Sequence, residues 1–171
     1  MSEDEPHSAA DFELLYERFR LPLYRFVRGM VLDAEAAEEL TRRAFDRAYS
    51  DRKRFKGEVS AAAWLHGFAL QLSMSHLRRR RLVAFLTGRR PGPGLPADGQ
   101  DYSGVEMALA ALSPPLRAVA LLGLYAQLSR GELAALMNTS EVTAASRLRT
   151  AVEVMTATLA GGRRAEATGP R

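Results

Sequence analysis

Residues 87–104 read TGRRPGPGLPADGQDYSG, a stretch with five glycines, three prolines and almost no large apolar residue. Glycine leaves the backbone too free, and proline removes the N–H that a helix or strand needs. So little apolar surface cannot pack a core, and the stretch is predicted to be a flexible linker. It divides the 171 residues into segments 9–86 and 105–160, each of which has to bury its own modest core.

On both sides apolar residues recur at helical spacing and no segment alternates with period two, which predicts an all-α fold of two small helical domains. Phe12, Leu15, Tyr16 and Phe19 mark one helix face. Pro22 stands where a first-turn proline opens a second helix, with Leu23, Phe26, Val27 and Met30 inward. Asp33 caps a third helix, DAEAAEELTRRAFDRAY, whose acids come early and whose arginines come late, as the helix dipole favours. Its inward face is Ala37, Leu40, Ala44 and Ala48. A basic loop, SDRKRFKGEV, follows at 50–59, and Ser60 caps a long helix through Trp64, Leu65, Phe68, Leu72 and Leu77 to Arg78–Arg81.

The second segment predicts four shorter helices. One covers about 103–112, and another starts at Pro114–Pro115 and carries Val119, Leu122 and Tyr125. A third opens on the capping box Ser129-x-x-Glu132, with Leu133, Ala134 and Leu136 inward. Asn138 suits a left-handed residue in the turn that follows, and the last helix starts at Ser140. Helix, short turn, helix is the helix-turn-helix pattern.

Charge is distributed unevenly. Residues 1–96 hold 17 Lys+Arg against 13 Asp+Glu, whereas residues 98–160 hold 4 against 6. A nucleic-acid contact driven by electrostatics therefore belongs mainly to the first half. Cysteine is absent, which excludes disulfides and thiolate metal sites. His7, His66 and His76 show no metal-ligand spacing, and no Gly-rich phosphate loop follows a strand, so neither a cofactor nor an enzyme activity is expected. The acidic start MSEDEPHSAADF has no apolar signal region, and no apolar run approaches the ~20 residues of a membrane span, so the expectation is a soluble cytoplasmic protein.

Three stretches, in order, carry a family resemblance: LYERFRLPLYRFVRGMVLDAEAAEELTRRAFDRAY, AAAWLHGFALQLSMSHLRRRR and ALAALSPPLRAVALLGLYAQLSRGELAALMNTSEVTAASRLRTA. They resemble the extracytoplasmic-function-type sigma factors of bacterial RNA polymerase, of the sigma-70 family, from about Asp11 to Leu159. The resemblance implies a region-two domain at 9–86, a linker at 87–104 and a region-four helix-turn-helix domain at 105–160. It implies RNA polymerase core, promoter DNA and an anti-sigma factor as partners, and neither a membrane nor a small-molecule substrate. Polymerase binding would fall to Glu39, Arg42, Arg43 and Phe45. Minus-ten DNA would fall to Arg52, Lys53, Arg54, Phe55, Lys56, Gln71, Ser75, Arg78, Arg79 and Arg80. Minus-thirty-five DNA would fall to Ser140, Thr143, Ser146, Arg147 and Arg149. A basic funnel with an aromatic suits unpaired bases, and a groove helix reads base edges while phosphate contacts fix its register.

The chain also departs from the family pattern. Arg42 and Arg43 stand where the family usually has Gln followed by an acid, which predicts repulsion from a basic partner surface of about 1 kcal/mol at a rim contact. Gln71 and Ser75 replace an Asn and an Asp of the minus-ten helix. In the last helix Ala145 and Val152 replace basic residues, Thr150 replaces a third, and Ala144 and Ala145 occupy positions where a base or phosphate reader is expected. Each lost phosphate contact lowers the salt slope of binding by about one. Phe55 either stacks on a base or anchors its loop, and Trp64 reads as core. Two readings stay open beside an alternative sigma factor: a degenerate sigma-like regulator that works through protein contacts without promoter activity of its own, and a stand-alone helix-turn-helix DNA binder.

Overall fold

The computed structural model describes residues 8–88 and 104–167, and every regular element among them is helical. Most of the predicted linker, residues 89–103, lies outside the described residues. The first half is α1 (Ala9–Val31), α2 (Ala34–Asp51), a 3-10 turn (Arg52–Arg54) and α3 (Ala61–Leu86). The second half is α4 (Gly104–Ala110), α5 (Pro114–Ala120) running into a π-helical turn (Leu121–Tyr125), α6 (Arg130–Leu136) and α7 (Glu141–Ala167).

Local chemistry sets most of the boundaries. Ser8 and Asp11 form a reciprocal capping box at α1, Asp33 accepts from the Ala36 N–H at 3.0 Å, and Ser60 accepts from the Ala63 N–H at 3.1 Å. The Ser129–Glu132 box is formed as well. Asn138 takes φ +47°, the left-handed turn expected of it. At the end of α1 the fully buried Leu32 takes φ +56°, and its N–H bonds Arg28 O at 2.9 Å, so the chain reverses within two residues into the Asp33 cap.

The expected break at Pro22 does not occur: α1 is one helix with the proline inside it. An interior proline costs a helix about 3 kcal/mol. Against that, Phe12, Leu15, Leu23, Phe26, Val27 and Met30 form one buried stripe that keeps helical period across residue 22. Neither a glycine nor a capping residue interrupts Phe19–Leu23, so burying the continuous stripe outweighs the lost hydrogen bond. The last helix also runs further than the predicted boundary at 160, to Ala167.

The two halves are in contact. Helices α4, α5 and α6 and the π-helical turn pack on α1 and α3, while α7 packs on α4, α5 and α6. Gly29 gives close approach at this seam: a Cβ there would lie 3.0 Å from a Leu121 methyl, which would have to shift by a few tenths of an ångström. Three polar ties cross it. Arg28 and Glu106 form a partly buried ion pair at 3.0 Å, and the Ser60 N–H donates to Glu132 Oε1 at 2.9 Å. Arg117 is buried, and its Nη1 donates to Met30 O at 2.7 Å. Burial lowers the Arg117 pKa to about 10, which leaves it charged at neutral pH.

Candidate polymerase and nucleic-acid interface

The outer face of α2 carries the residues assigned to polymerase binding. Glu39 and Arg43 pair at 3.3 Å, and Arg42 and Asp46 pair at 3.1 Å, each one helical turn apart. Both cations that depart from the family pattern are therefore answered within their own helix, and the face is close to neutral instead of positive. Phe45 does not project from this face. It is 5% exposed and meets the rings of Tyr16 and Phe12 edge-on at 4.7 and 6.3 Å. Its role is to fix α2 against α1, since a phenyl on the Leu40–Ala44–Ala48 side of the helix gains more by burial than by exposure. Between the two helices lies an open groove of about 630 Å³ lined by Tyr16, Leu21, Tyr24, Thr41 and Phe45, with Arg20, Glu38, Arg42 and Asp46 at its rim.

The loop after α2 is more structured than its composition suggests. The Arg52 guanidinium lies 3.8 Å from the Tyr49 ring centroid and donates to Tyr49 O at 2.6 Å. Arg54 pairs loosely with Asp51 at 3.7 Å, and Lys53 and Lys56 are exposed. Of the two roles open to Phe55, the structure has the loop anchor: it is 7% exposed with its ring 5.1 Å from that of Trp64, which in turn meets Phe68 at 5.2 Å. The loop's one aromatic is thus its anchor to α3, and no stacking surface is offered to a base in this arrangement. Trp64 is half-buried against the core, as expected.

Along α3, Gln71, Ser75 and Arg78 follow one another at i, i+4 and i+7 and are all exposed, so they share a face; Arg78 Nη2 donates to Ser75 Oγ at 3.2 Å. Arg79, Arg80 and Arg81 are exposed and have no ion pair among the described residues. Burial first, and Arg80 next, lower the pKa of His76 beside them. The helix does not stop at the arginines. Leu82, Val83, Phe85 and Leu86 continue it, and Phe85 is 81% exposed. Their only sequence signal was the absence of any breaker before Gly88.

In the second half Ser140 caps α7 by accepting from the Thr143 N–H at 3.2 Å, and the two hydroxyls are bonded to each other at 2.8 Å. Ala144 is not a vacant reader position: at 1% exposed it belongs to the core with Ala151. Ser146 and Arg149 are exposed, and Arg147 is half-buried. Sequence reasoning missed Val142, which is 81% exposed in the first turn of α7. It also missed Arg117, whose cluster of carbonyl acceptors comes from distant parts of the chain. Among the described residues no group of three or more His, Cys, Asp or Glu is placed to hold a metal ion, and no helix is long and apolar enough to cross a membrane.

Residues 15–83 match the family model for Sigma-70 region 2. The RNA polymerase sigma-H factor of Pseudomonas aeruginosa is 27% identical over 109 residues, which is 63% of this chain and 53% of that protein. The ECF RNA polymerase sigma factor SigX of Bacillus subtilis is 28% identical over 72 residues, 42% of this chain and 37% of that protein. The alignments therefore span about half or less of these curated relatives. Among solved structures, the sigma factor RpoE of Bartonella quintana, determined with the anti-sigma factor NepR, shares the fold at a TM-score of 0.75 and 20% identity, covering 88% of this chain and 98% of that one. CnrH, determined with the cytosolic domain of CnrY, does so at 0.71 and 19% identity, covering 94% and 99%. The region built from α1, α2 and α3 is thus similar to region 2 of the sigma-70 family, and parts of the chain are similar to curated sigma factors, one of them of the ECF type.

Proposed function

We propose that this protein is an alternative sigma factor that takes RNA polymerase core to a specific set of promoters. The observation that carries the reading is the exposed face of α3, where Gln71, Ser75 and Arg78 line up and lead into three exposed arginines without ion pairs among the described residues. Such a face attracts a phosphate backbone and holds polar side chains at base distance. In this reading α2 with Glu39, Arg42 and Arg43 meets the polymerase, Phe45 shapes that face from below, and minus-ten DNA is captured by Arg52, Lys53, Arg54, Lys56 and the α3 face. Ser146, Arg147 and Arg149 on α7 contact minus-thirty-five DNA, with Ser140 and Thr143 ordering the helix start. An anti-sigma factor is a further expected partner, as NepR is for RpoE of Bartonella quintana.

The test is transcription in a purified system with core polymerase and a genomic template library. Discrete start sites that appear only when the chain is added support the reading; their absence overturns it. One observation favours the second reading, a sigma-like regulator without promoter activity of its own. The arginine pairs take up Glu39 and Asp46, which leaves Glu35 and Glu38 as the exposed acids of α2 without an ion pair among the described residues to attract a basic polymerase surface. In that case the chain co-purifies with a protein partner and yields no transcript.

A further inference from the structure

On α7, Val142, Ser146 and Arg149 are exposed at i, i+4 and i+7 and share a face, while Ala144 and Ala151 point into the core. The hydroxyls of Ser140 and Thr143 are turned toward each other. What this helix start offers outward is therefore an isopropyl group, with a hydroxyl and a guanidinium beyond it. Val142 is 81% exposed, so it contributes little burial to the fold, and valine is a poorer helix former than alanine. Arg149 has no ion pair among the described residues, so the same face holds a cation for an anionic partner. The helix packs on α4, α5 and α6, which leaves its outer side open to a DNA groove.

Resting on the reading of α7 as the groove helix, we propose that Val142 is a base-reading residue that recognises the C5-methyl group of a thymine in the major groove. That methyl is the one apolar feature on a base-pair edge there, and apolar side chains read it by contact. An exposed isopropyl at the start of the groove helix gains free energy only when such a group displaces water from it. Ser146, one turn on, supplies a hydroxyl for a neighbouring base edge, and Arg149 supplies a phosphate contact that fixes the register. The altered helix thus reads DNA by an apolar contact where charged readers have been lost.

The experiment uses the full chain with core RNA polymerase. Bound duplexes are selected from a random library, and each thymine of the selected upstream element is then replaced by deoxyuridine, which removes only the C5-methyl. One replacement is expected to weaken binding about fourfold, the factor for one buried methyl-sized group. The Val142→Ala chain should lose that sensitivity while keeping the parent's helical signal and melting behaviour, since the side chain is exposed. Indifference of the parent to every replacement, an element without thymine, or equal sensitivity in Val142→Ala would each overturn the assignment. Selection and transcription that persist in those cases leave the sigma reading standing. Failure to select any DNA overturns both.

Discussion

Replacing Arg117 with leucine removes a buried guanidinium that donates to four backbone carbonyls. Nε reaches Leu109 O at 2.8 Å, Nη1 reaches Met30 O at 2.7 Å, and Nη2 reaches Leu112 O and Ala110 O at 3.2 and 3.4 Å. Leu109 O and Ala110 O are at the end of α4, Leu112 O lies just beyond it, and the fourth acceptor is at the end of α1 in the other half. The side chain is 5% exposed, so water does not replace it without rearrangement. Truncating one side of a buried charged network costs about 3–5 kcal/mol, because the groups left behind stay unpaired. Helix-end carbonyls recover part of this by relaxing toward solvent, and about 3 kcal/mol is the expected loss. With a urea dependence of about 2 kcal/mol per molar, the unfolding midpoint of the full chain should fall by about 1.5 M. Lysine keeps the charge but lacks the planar fork, so Arg117→Lys should recover about half of the loss. Because Arg117 ties α4 to α1 next to the Arg28–Glu106 pair, Arg117→Leu and Glu106→Gln should be non-additive by about 0.5 kcal/mol or more. A loss below about 1 kcal/mol in Arg117→Leu, or full additivity with Glu106→Gln, would refute the view that this guanidinium fastens the two halves.

Three further outcomes are expected. Burial alone would raise the pKa of Glu132, but hydrogen bonds from Ser60 and Ser129 outweigh it and hold the carboxyl at about 2. A carboxyl depressed on folding adds stability above its unfolded value of 4.5 that is lost as pH falls toward 2, so Glu132→Gln should flatten the acid limb of a stability–pH profile over that window. His66 donates from Nδ1 to Ala62 O at 2.7 Å and its Nε2 has no partner among the described residues, and burial lowers its pKa from 6.5 despite that bond. The unfolded chain therefore takes up the proton first, stability should decline as pH drops below 6.5, and His66→Leu should remove that slope in thermal melts between pH 7 and 5. Arg43→Glu breaks the surface pair with Glu39 at a stability cost of about 0.5 kcal/mol, while it should strengthen core-polymerase binding severalfold if α2 is the docking face; a weaker complex in a pull-down titration counts against that face.

How much of this was legible depended on the reach of the interaction. Caps act over three residues, and Ser60, Asp33, Asn138 and the Ser129–Glu132 box were all readable from spacing. Pro22 was misread because its local cost is visible in the sequence, whereas the buried stripe that overrides it is a property of the whole first half. Phe55 was left open between two roles and Ala144 was misplaced for a related reason: a residue in a polar stretch looks exposed until an element from elsewhere covers it. The seam between the halves left no pattern at all, since neither helical period nor composition says that Arg117 will meet Met30 O or that Gly29 will lie under Leu121.

The charges show where a local rule was available and went unused. Arg42 and Arg43 suggested repulsion from a basic partner when read as single departures, yet Asp46 and Glu39 stand one turn away and the pairs could be counted from the sequence. Neutralisation changes the inference: an almost neutral α2 face gives up attraction without adding repulsion, so binding there must rest more on shape and on the apolar groove beside Phe45. The exposed arginines at 79–81 have no such partners among the described residues, and the charge imbalance of the first half is concentrated on α3. On the proposed function, electrostatic attraction to DNA thus falls to the helix that leads toward the linker and not to α2. Salt should weaken promoter binding more steeply than it weakens polymerase binding, which separates the two faces by their ionic-strength dependence alone.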